Sequence, residues 1–394
     1  MPATATRPRN RRHLIVAAAG RAFSERGYHG AAMEEIAAGV GISATALYRH
    51  FPNKYTLFDE CANAMVDGLV AALDAVPSPA PLSDVLAAVT RVTVAHRSSG
   101  GVYRWEARYL NRDDRTLLKS KFAHVVDRVA EAVRRESPWP GEDVRAAAAL
   151  GAIGAITMHR TSIAPPRAED LLLSSALRVA ATDPAGAAGS ARSVRLPAQP
   201  VARTRRAEIL AAAIPLFARD GFVSVTNGQI AEAVGLGPSA LYRHYPGKVD
   251  ILAAACLQAA GLLAHAVEQG LQRRTDPQDA VVALAATYVA YSFEHTALTS
   301  VAEAELIGLP TELQRPLILA QRDHIAVWEQ QLRSARPELD PRQARVLVHA
   351  GFGVVVEVGR SLRWQDSDAN RDAVTALVVG ALGLPVTGPS VPPG

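Results

Sequence analysis

Residues 47–54 read LYRHFPNK and residues 241–248 read LYRHYPGK, a recurrence at an offset of 194 residues. The match extends backwards without a gap: Ala17-Ala18-Ala19 falls on Ala211-Ala212-Ala213, Phe23 on Phe217, Gly27 on Gly221, Ile36-Ala37 on Ile230-Ala231 and Val40-Gly41 on Val234-Gly235. Solenoid units run to about 20–50 residues, so this period means a duplicated domain. A chain of 394 residues has room for such a pair, since single cores stop growing beyond about 250–300 residues.

Each copy opens with a helix. Ile15, Val16, Ala19, Ala22 and Phe23 recur at helical spacing in copy one; Ile209, Leu210, Ala213, Leu216 and Phe217 do so in copy two. Gly27 and Gly221 stop these helices in the manner of a C′ glycine. Ala37 then precedes Gly41 by four residues, and Ala231 precedes Gly235 by four. A small side chain lets the next helix approach closely, and the glycine permits a tight turn, which is the helix-turn-helix pattern. Ile36, Ile42 and Leu47 supply the small core in copy one, matched by Ile230, Leu236 and Leu241 in copy two. Ser43 is a good N-cap for the third helix. In copy two Gly237 takes the cap position, with Pro238 at the first helical position, where its missing N–H costs nothing.

Charge placement points the same way. The net charge is only +4, but Arg7, Arg9, Arg11 and Arg12 precede the first helix and Arg203, Arg205 and Arg206 open the second half. Two basic starts, each leading into a helix, suit contact with phosphates. Abundant Ala and a 5% aromatic content favour close-packed helices over sheets. The two cysteines, Cys61 and Cys256, are expected as reduced thiols. The apolar stretch Leu14–Gly20 is too short for a signal peptide or a membrane span, so the chain is expected in the cytoplasm with no membrane association. It has no HExxH, no CxxC, no phosphate-binding glycine loop and no GxSxG elbow. An enzyme is therefore not expected, nor a metal site or cofactor.

The run of helix, glycine plus aromatic, I-A, V-G and L-Y-x-H-[FY]-x-x-K resembles the N-terminal signature of the TetR family of transcriptional regulators. It stands here as Leu47-Tyr48-Arg49-His50-Phe51-Pro52-Asn53-Lys54 and again as Leu241-Tyr242-Arg243-His244-Tyr245-Pro246-Gly247-Lys248. The resemblance covers roughly residues 9–60 and 203–254. It implies a three-helix DNA-binding unit joined to a larger helical ligand-binding and dimerisation unit, with double-stranded operator DNA as partner. By the resemblance the third helix enters the major groove. Tyr48 and Tyr242 would touch the DNA backbone, and Lys54 and Lys248 would meet phosphates at the start of helix four. That placement agrees with the anion affinity of a helix N-terminus. Ala44, Thr45 and Arg49, with Pro238, Ser239 and Arg243, would face the bases. Ser43, His50 and His244 complete the expected DNA-binding set; packing explains the two histidines equally well. Ordinary family members are homodimers of chains about half this length, so this chain departs from them by joining two units covalently.

The expected fold class is all-α in two tandem units: a DNA-binding head over 9–54, a helical regulatory domain over 55–182, a linker over 183–202, a second head over 203–248 and a second regulatory domain over 249–384. Prolines, glycines, alanines and serines without an apolar period mark the linker. Helical segments are predicted near 82–97, 101–110, 113–136, 143–160 and 168–181, and near 248–271, 277–295, 297–308, 312–335, 341–362 and 368–383. Small and branched residues at Gly151, Ala152 and Ala155, and at Gly351, Val354 and Val355, suit close helix–helix packing. Pairing of the two copies on these stripes would make a monomeric pseudo-dimer; a homodimer of chains competes with it.

A small-molecule effector is the second expected partner. Its candidate lining is Tyr103, Trp105, Tyr109 and Phe122 in copy one, and Tyr288, Phe293, Trp328, Phe352 and Trp364 in copy two. Core packing is the competing reading for each. The segment 105–110 resembles a stretch of family members that sense acyl-CoA or other lipid-like ligands. Glu303, Glu305, His295 and His324 could orient a polar group, with surface or satisfied-core roles favoured. The functional expectation is thus a ligand-responsive repressor reading specific DNA. Its alternatives are a regulator with one DNA-competent copy and one scaffold copy, and a structural protein that binds DNA without regard to sequence.

Overall fold

The computed structural model describes residues 11–102, 107–136, 139–187, 189, 194, 196–197, 202–272, 274–305 and 309–385. Among them every regular element is helical: α1 (Arg11–Gly30), α2 (Met33–Gly39), α3 (Ala44–His50), α4 (Lys54–Asp74), α5 (Leu82–Ala95), α6 (Arg112–Glu136), α7 (Glu142–Gly154), α8 (Pro165–Ala181), α9 (Arg205–Asp220), α10 (Asn227–Ala233), α11 (Pro238–Leu241), α12 (Lys248–Leu271), α13 (Pro277–Glu294), α14 (Thr296–Glu305), α15 (Thr311–Ala335), α16 (Pro341–Ser361) and α17 (Asp368–Leu382). The all-α class holds. Of the segment expected as a helix over 101–110, Gly101 and Val102 are helical and Ala107–Tyr109 form a 3₁₀ turn, with residues 103–106 outside the described residues.

The chain divides into two compact units. The first draws on residues up to 136 with 153–160 and 164–173; the second takes 137–152, 161–163 and 174 onward. In the first, α4 is the spine, packed by α1, α5 and α6. Its core gathers Ile15, Ala19, Phe23, Ile36, Leu47, Phe51, Leu57 and Phe58, all essentially buried. Each such Leu or Phe contributes about 1.5–3 kcal/mol by leaving water.

In the second unit α12 is the spine. It is 24 residues long and apolar enough to cross a membrane by length and composition. Its apolar residues serve cores instead: Ile251, Leu252 and Cys256 join Ile209, Phe217, Ile230 and Leu241, while Ala255, Ala259 and Leu262 meet Tyr291 and Leu298. The helix starts are written in side chains. Asp340 and Gln343 form a reciprocal capping box at α16, with Pro341 at its first position, and Thr226 with Gln229 does the same at α10.

The second unit also holds most of α7 and the second half of α8, both from copy one. Ser175 Oγ donates to the carbonyl of Ala381 at 2.8 Å in a buried site. The Arg178 guanidinium donates to the carbonyls of Gly380 and Ala381 at 3.3 Å each, and Arg336 Nη1 donates to that of Leu382 at 2.8 Å. Two cations thus serve the open carbonyls at the C-terminus of α17, the negative end of its dipole. Close approach has its signature too: a Cβ built on Gly151 would stand 2.5 Å from the carbonyl oxygen of Gly353. Described parts of the expected linker are attached to this unit as well. Ala187 is buried, the Gly189 N–H donates to Asp372 at 2.8 Å, and Leu196 packs against the Tyr291 cluster.

Candidate nucleic-acid interface

In copy one α1 breaks at Gly27, whose φ of 72° interrupts the helix before a last turn. The turn between α2 and α3 closes on Ala37, whose carbonyl accepts from Val40 N at 3.2 Å and Ile42 N at 3.0 Å. Gly41 between them sits at φ +68°, a conformation that L side chains rarely adopt. Ser43 Oγ accepts from the Ala46 N–H at 3.2 Å and starts α3. Leu47 is buried beneath it and fixes its rotation. Thr45, Tyr48 and Arg49 are consequently exposed, with Ala44 and His50 half-buried. Tyr48 leaves 45% of its surface to solvent, which no demand of packing explains.

Copy two repeats the device. Leu236 N donates to the Ala231 carbonyl at 2.8 Å, Gly235 stands at φ +67°, and Gly237 with Pro238 begins α11. Here the third helix is four residues long, against seven in α3. Tyr242, Arg243 and His244 continue it as turns, with Arg243 N on the Ala240 carbonyl at 3.2 Å and His244 N on that of Leu241 at 2.9 Å. Pro238, Ser239, Tyr242 and Arg243 are exposed and His244 is half-buried. Asn227 Nδ2 donates to the Tyr242 hydroxyl at 2.9 Å, tying α10 to the reading surface.

The two lysines have partners inside the protein. Lys54 is the first residue of α4, a helix capped by Asn53, whose Oδ1 accepts from the Thr56 N–H at 2.8 Å. Its ammonium donates to the His29 carbonyl at 3.3 Å and lies 5.0 Å from the Tyr28 ring centroid. Burial lowers its pKa. Lys248 is held more firmly: its ammonium donates to the carbonyls of Phe222, Val223 and Val225 at 2.6, 3.2 and 2.6 Å and lies 4.4 Å from the Phe222 ring. The Lys248 ammonium holds the loop that joins the first two helices of its head, and that of Lys54 holds the last turn of α1.

A second repeated pair was not singled out by sequence reasoning in this role. Arg12 Nη1 donates to the carbonyl of His50 at 3.0 Å while its guanidinium lies 4.3 Å over the Phe51 ring. Arg206 donates to the carbonyl of His244 and lies 3.9 Å over Tyr245. Arg12 and Arg206 are themselves related by the offset of 194, the signal that could have found them.

The expected effector residues part company. Tyr103 and Trp105 lie outside the described residues. Tyr109 stacks on Tyr28 with centroids 5.6 Å apart and meets His29 at 4.9 Å, and Phe122 packs on the same head core. Phe293 meets Trp364 at 5.3 Å. Tyr288, Trp328 and Phe352 come together, with Tyr288 and Trp328 lying 4.7 and 5.3 Å from the Phe352 ring. Among the described residues no three His, Cys, Asp or Glu side chains are placed to hold a metal, and Cys61 and Cys256 are buried thiols.

Two glycine turns, each followed by a helix that leaves a tyrosine and an arginine in solvent, define a tandem helix-turn-helix DNA-binding protein. The profile of "Bacterial regulatory proteins, tetR family" matches it twice, over residues 15–61 and 209–255, so the chain carries two copies of that family's DNA-binding domain in tandem. It is 43% identical over 61 residues to the HTH-type transcriptional activator FasR of Mycolicibacterium smegmatis, covering 16% of this chain and 28% of that protein. It is 35% identical over 88 residues to the nucleoid occlusion factor SlmA of Photorhabdus laumondii, covering 22% and 42%. The chain thus spans less than half the length of either relative. A TetR-family transcriptional regulator from Bordetella parapertussis 12822 superposes with a TM-score of 0.41 at 22% identity, over 45% of this chain and 94% of its own.

Proposed function

We propose that this chain is a sequence-specific, ligand-responsive repressor that reads two half-sites as a single-chain pseudo-dimer. The observation that carries the reading is the duplicated exposed pair, Tyr48 with Arg49 on α3 and Tyr242 with Arg243 in the turns that continue α11, each after a glycine turn. Exposed aromatic and cationic side chains on a helix-turn-helix suit contact with phosphates and base edges. Pairing within one chain is supported by the contacts of Ser175 and Arg178 with the end of α17 and by the approach of Gly151 to Gly353. The reading surfaces differ in sequence and in helix length, so the half-sites differ too. DNA holds the two readers at a set separation, about 34–36 Å for adjacent turns. An effector in the helical bodies changes that separation, and a coupling of about 1–3 kcal/mol suffices for a switch. The protein does this work as a binder and not as an enzyme, in the cytoplasm.

Selection of bound sequences from random DNA tests the proposal, using wild type, Tyr48→Ala and Tyr242→Ala proteins. The expected result is a two-part site that loses one half in each variant. A single motif untouched by Tyr242→Ala would make copy two a scaffold, and binding without an enriched motif would make the chain a structural DNA binder. The relative in Mycolicibacterium is named an activator, so the sign of regulation is read from a reporter carrying the selected site; the expectation is lower transcription.

A further inference from the structure

The two long helices of the regulatory halves, α6 and α15, are each 25 residues, and setting Thr311 on Arg112 aligns them throughout. His324 then falls on Val125 and Trp328 on Val129. The same offset joins α7 and α16, setting His349 on Leu150 and Phe352 on Ile153. Copy one fills its four positions with aliphatic side chains, all buried. Copy two fills them with two histidines, a tryptophan and a phenylalanine.

The substitution leaves polar atoms stranded. Trp328 is fully buried, yet its indole N–H has no hydrogen-bond partner, and neither has the buried Nε2 of His324 one turn earlier on α15. A buried donor without a partner costs about 1–3 kcal/mol, and native proteins rarely keep two side by side without use. Both rings flank Phe352, His324 stacked on it at 5.7 Å and 18° and Trp328 edge-on at 5.3 Å and 87°. Tyr288 of α13 completes the cluster, 5.8 Å from His324 and 6.1 Å from Trp328. His324 is half-buried as a residue, with its Nε2 in the buried part.

The chemistry of an occupant follows. Trp328 can only donate, so the occupant presents an acceptor. The neighbouring rings of Tyr288, His324 and Phe352 suit an aromatic occupant. Arg345, whose positive charge acts on His349, is already bound to Glu329, so a charged occupant would lose its hydration without a counter-ion. We propose that this cluster is the one effector site of the chain and that it takes an uncharged aromatic amide or ketone, whose carbonyl accepts from Trp328 and whose polar edge meets His324. The inference rests on the ligand-responsive reading above and confines sensing to one of the two copies.

The test uses the full chain without DNA, with benzamide as probe and benzoate as its charged counterpart. Calorimetry should find one benzamide per chain, and the indole N–H resonance of Trp328 should move on binding. Trp328→Phe keeps the ring and removes the donor; it should weaken benzamide about five- to tenfold and leave the thermal unfolding temperature unchanged or higher. Benzoate should bind more weakly than benzamide. Tyr48→Ala should bind benzamide as wild type does, so failure of the DNA reading does not touch this result. Two equivalents per chain, undiminished binding by Trp328→Phe, benzoate binding as tight as benzamide, or no saturable benzamide binding at millimolar concentration would each overturn the proposal. So would an indole N–H found bonded to a buried water and indifferent to the probe.

Discussion

The guanidinium of Arg206 lies over the ring of Tyr245, 3.9 Å from its centroid, while donating to the carbonyl of His244. One side chain thereby closes the last turn of the second reading element and covers the residue after it. Arg12 does the same for His50 and Phe51, and adds an ion pair with Glu60. Lysine cannot reproduce a stacked, forked contact. Arg12→Lys and Arg206→Lys should therefore each lower affinity for DNA about five- to tenfold, from loss of a charged hydrogen bond and a cation–π contact of about 0.5–1 kcal/mol. Because charge is kept, the salt dependence of binding should not change, which fluorescence anisotropy across a salt series measures.

Lys248 and Lys54 occupy equivalent positions with unequal duties. With three carbonyls on its ammonium, Lys248→Met should destabilise the second unit by about 1–3 kcal/mol, seen as a lower urea midpoint. Lys54 donates to the His29 carbonyl at 3.3 Å. Lys54→Met should cost less than about 1 kcal/mol of stability.

Burial pushes the pKa of His349 down to about 4 from its ordinary 6.5, with Arg345 adding to the effect. The unfolded chain therefore binds a proton that the folded chain refuses between these two values. Stability is complete above pH 6.5 and falls as pH drops toward 4, by about 1.4 kcal/mol per pH unit for one such group. His324 is lowered to about 4 by burial alone, but its partial exposure makes its share smaller. His349→Leu should flatten the slope of unfolding free energy between pH 5 and 6.5 and raise stability at pH 5, as denaturant titrations at several pH values will record.

Gly151 has no room for a side chain. Gly151→Val should destabilise the second unit by about 1–3 kcal/mol through overpacking against the Gly353 backbone. Calorimetric scanning should show the transition of the second unit lowered and that of the first unchanged.

Much of the reading head was legible because its determinants are local. Gly41, Gly235, Ser43, Leu47 and Leu241 act within a few residues of their own positions, and spacing alone exposes them. The predicted helices of the regulatory halves match the observed ones closely for the same reason. What escaped depends on distant partners. Lys248 looks from its sequence like a free cation at a helix start; the carbonyls of Phe222, Val223 and Val225 come to it only when the head folds. His324 was expected as a satisfied core histidine, and only the packing of α13, α15 and α16 reveals its bare Nε2. The short α11 was also hidden, since nothing in Pro238–Leu241 distinguishes four helical residues from seven.

The contact between Gly151 and Gly353 has a hereditary meaning. In an assembly of identical subunits every mutation arrives twice, once on each side of the symmetry axis, so a harmful change cannot be answered by a different change opposite. Positions 151 and 353 are separate codons of one gene. Each can drift, be repaired by its neighbour, and carry its own half of the molecule toward a different task.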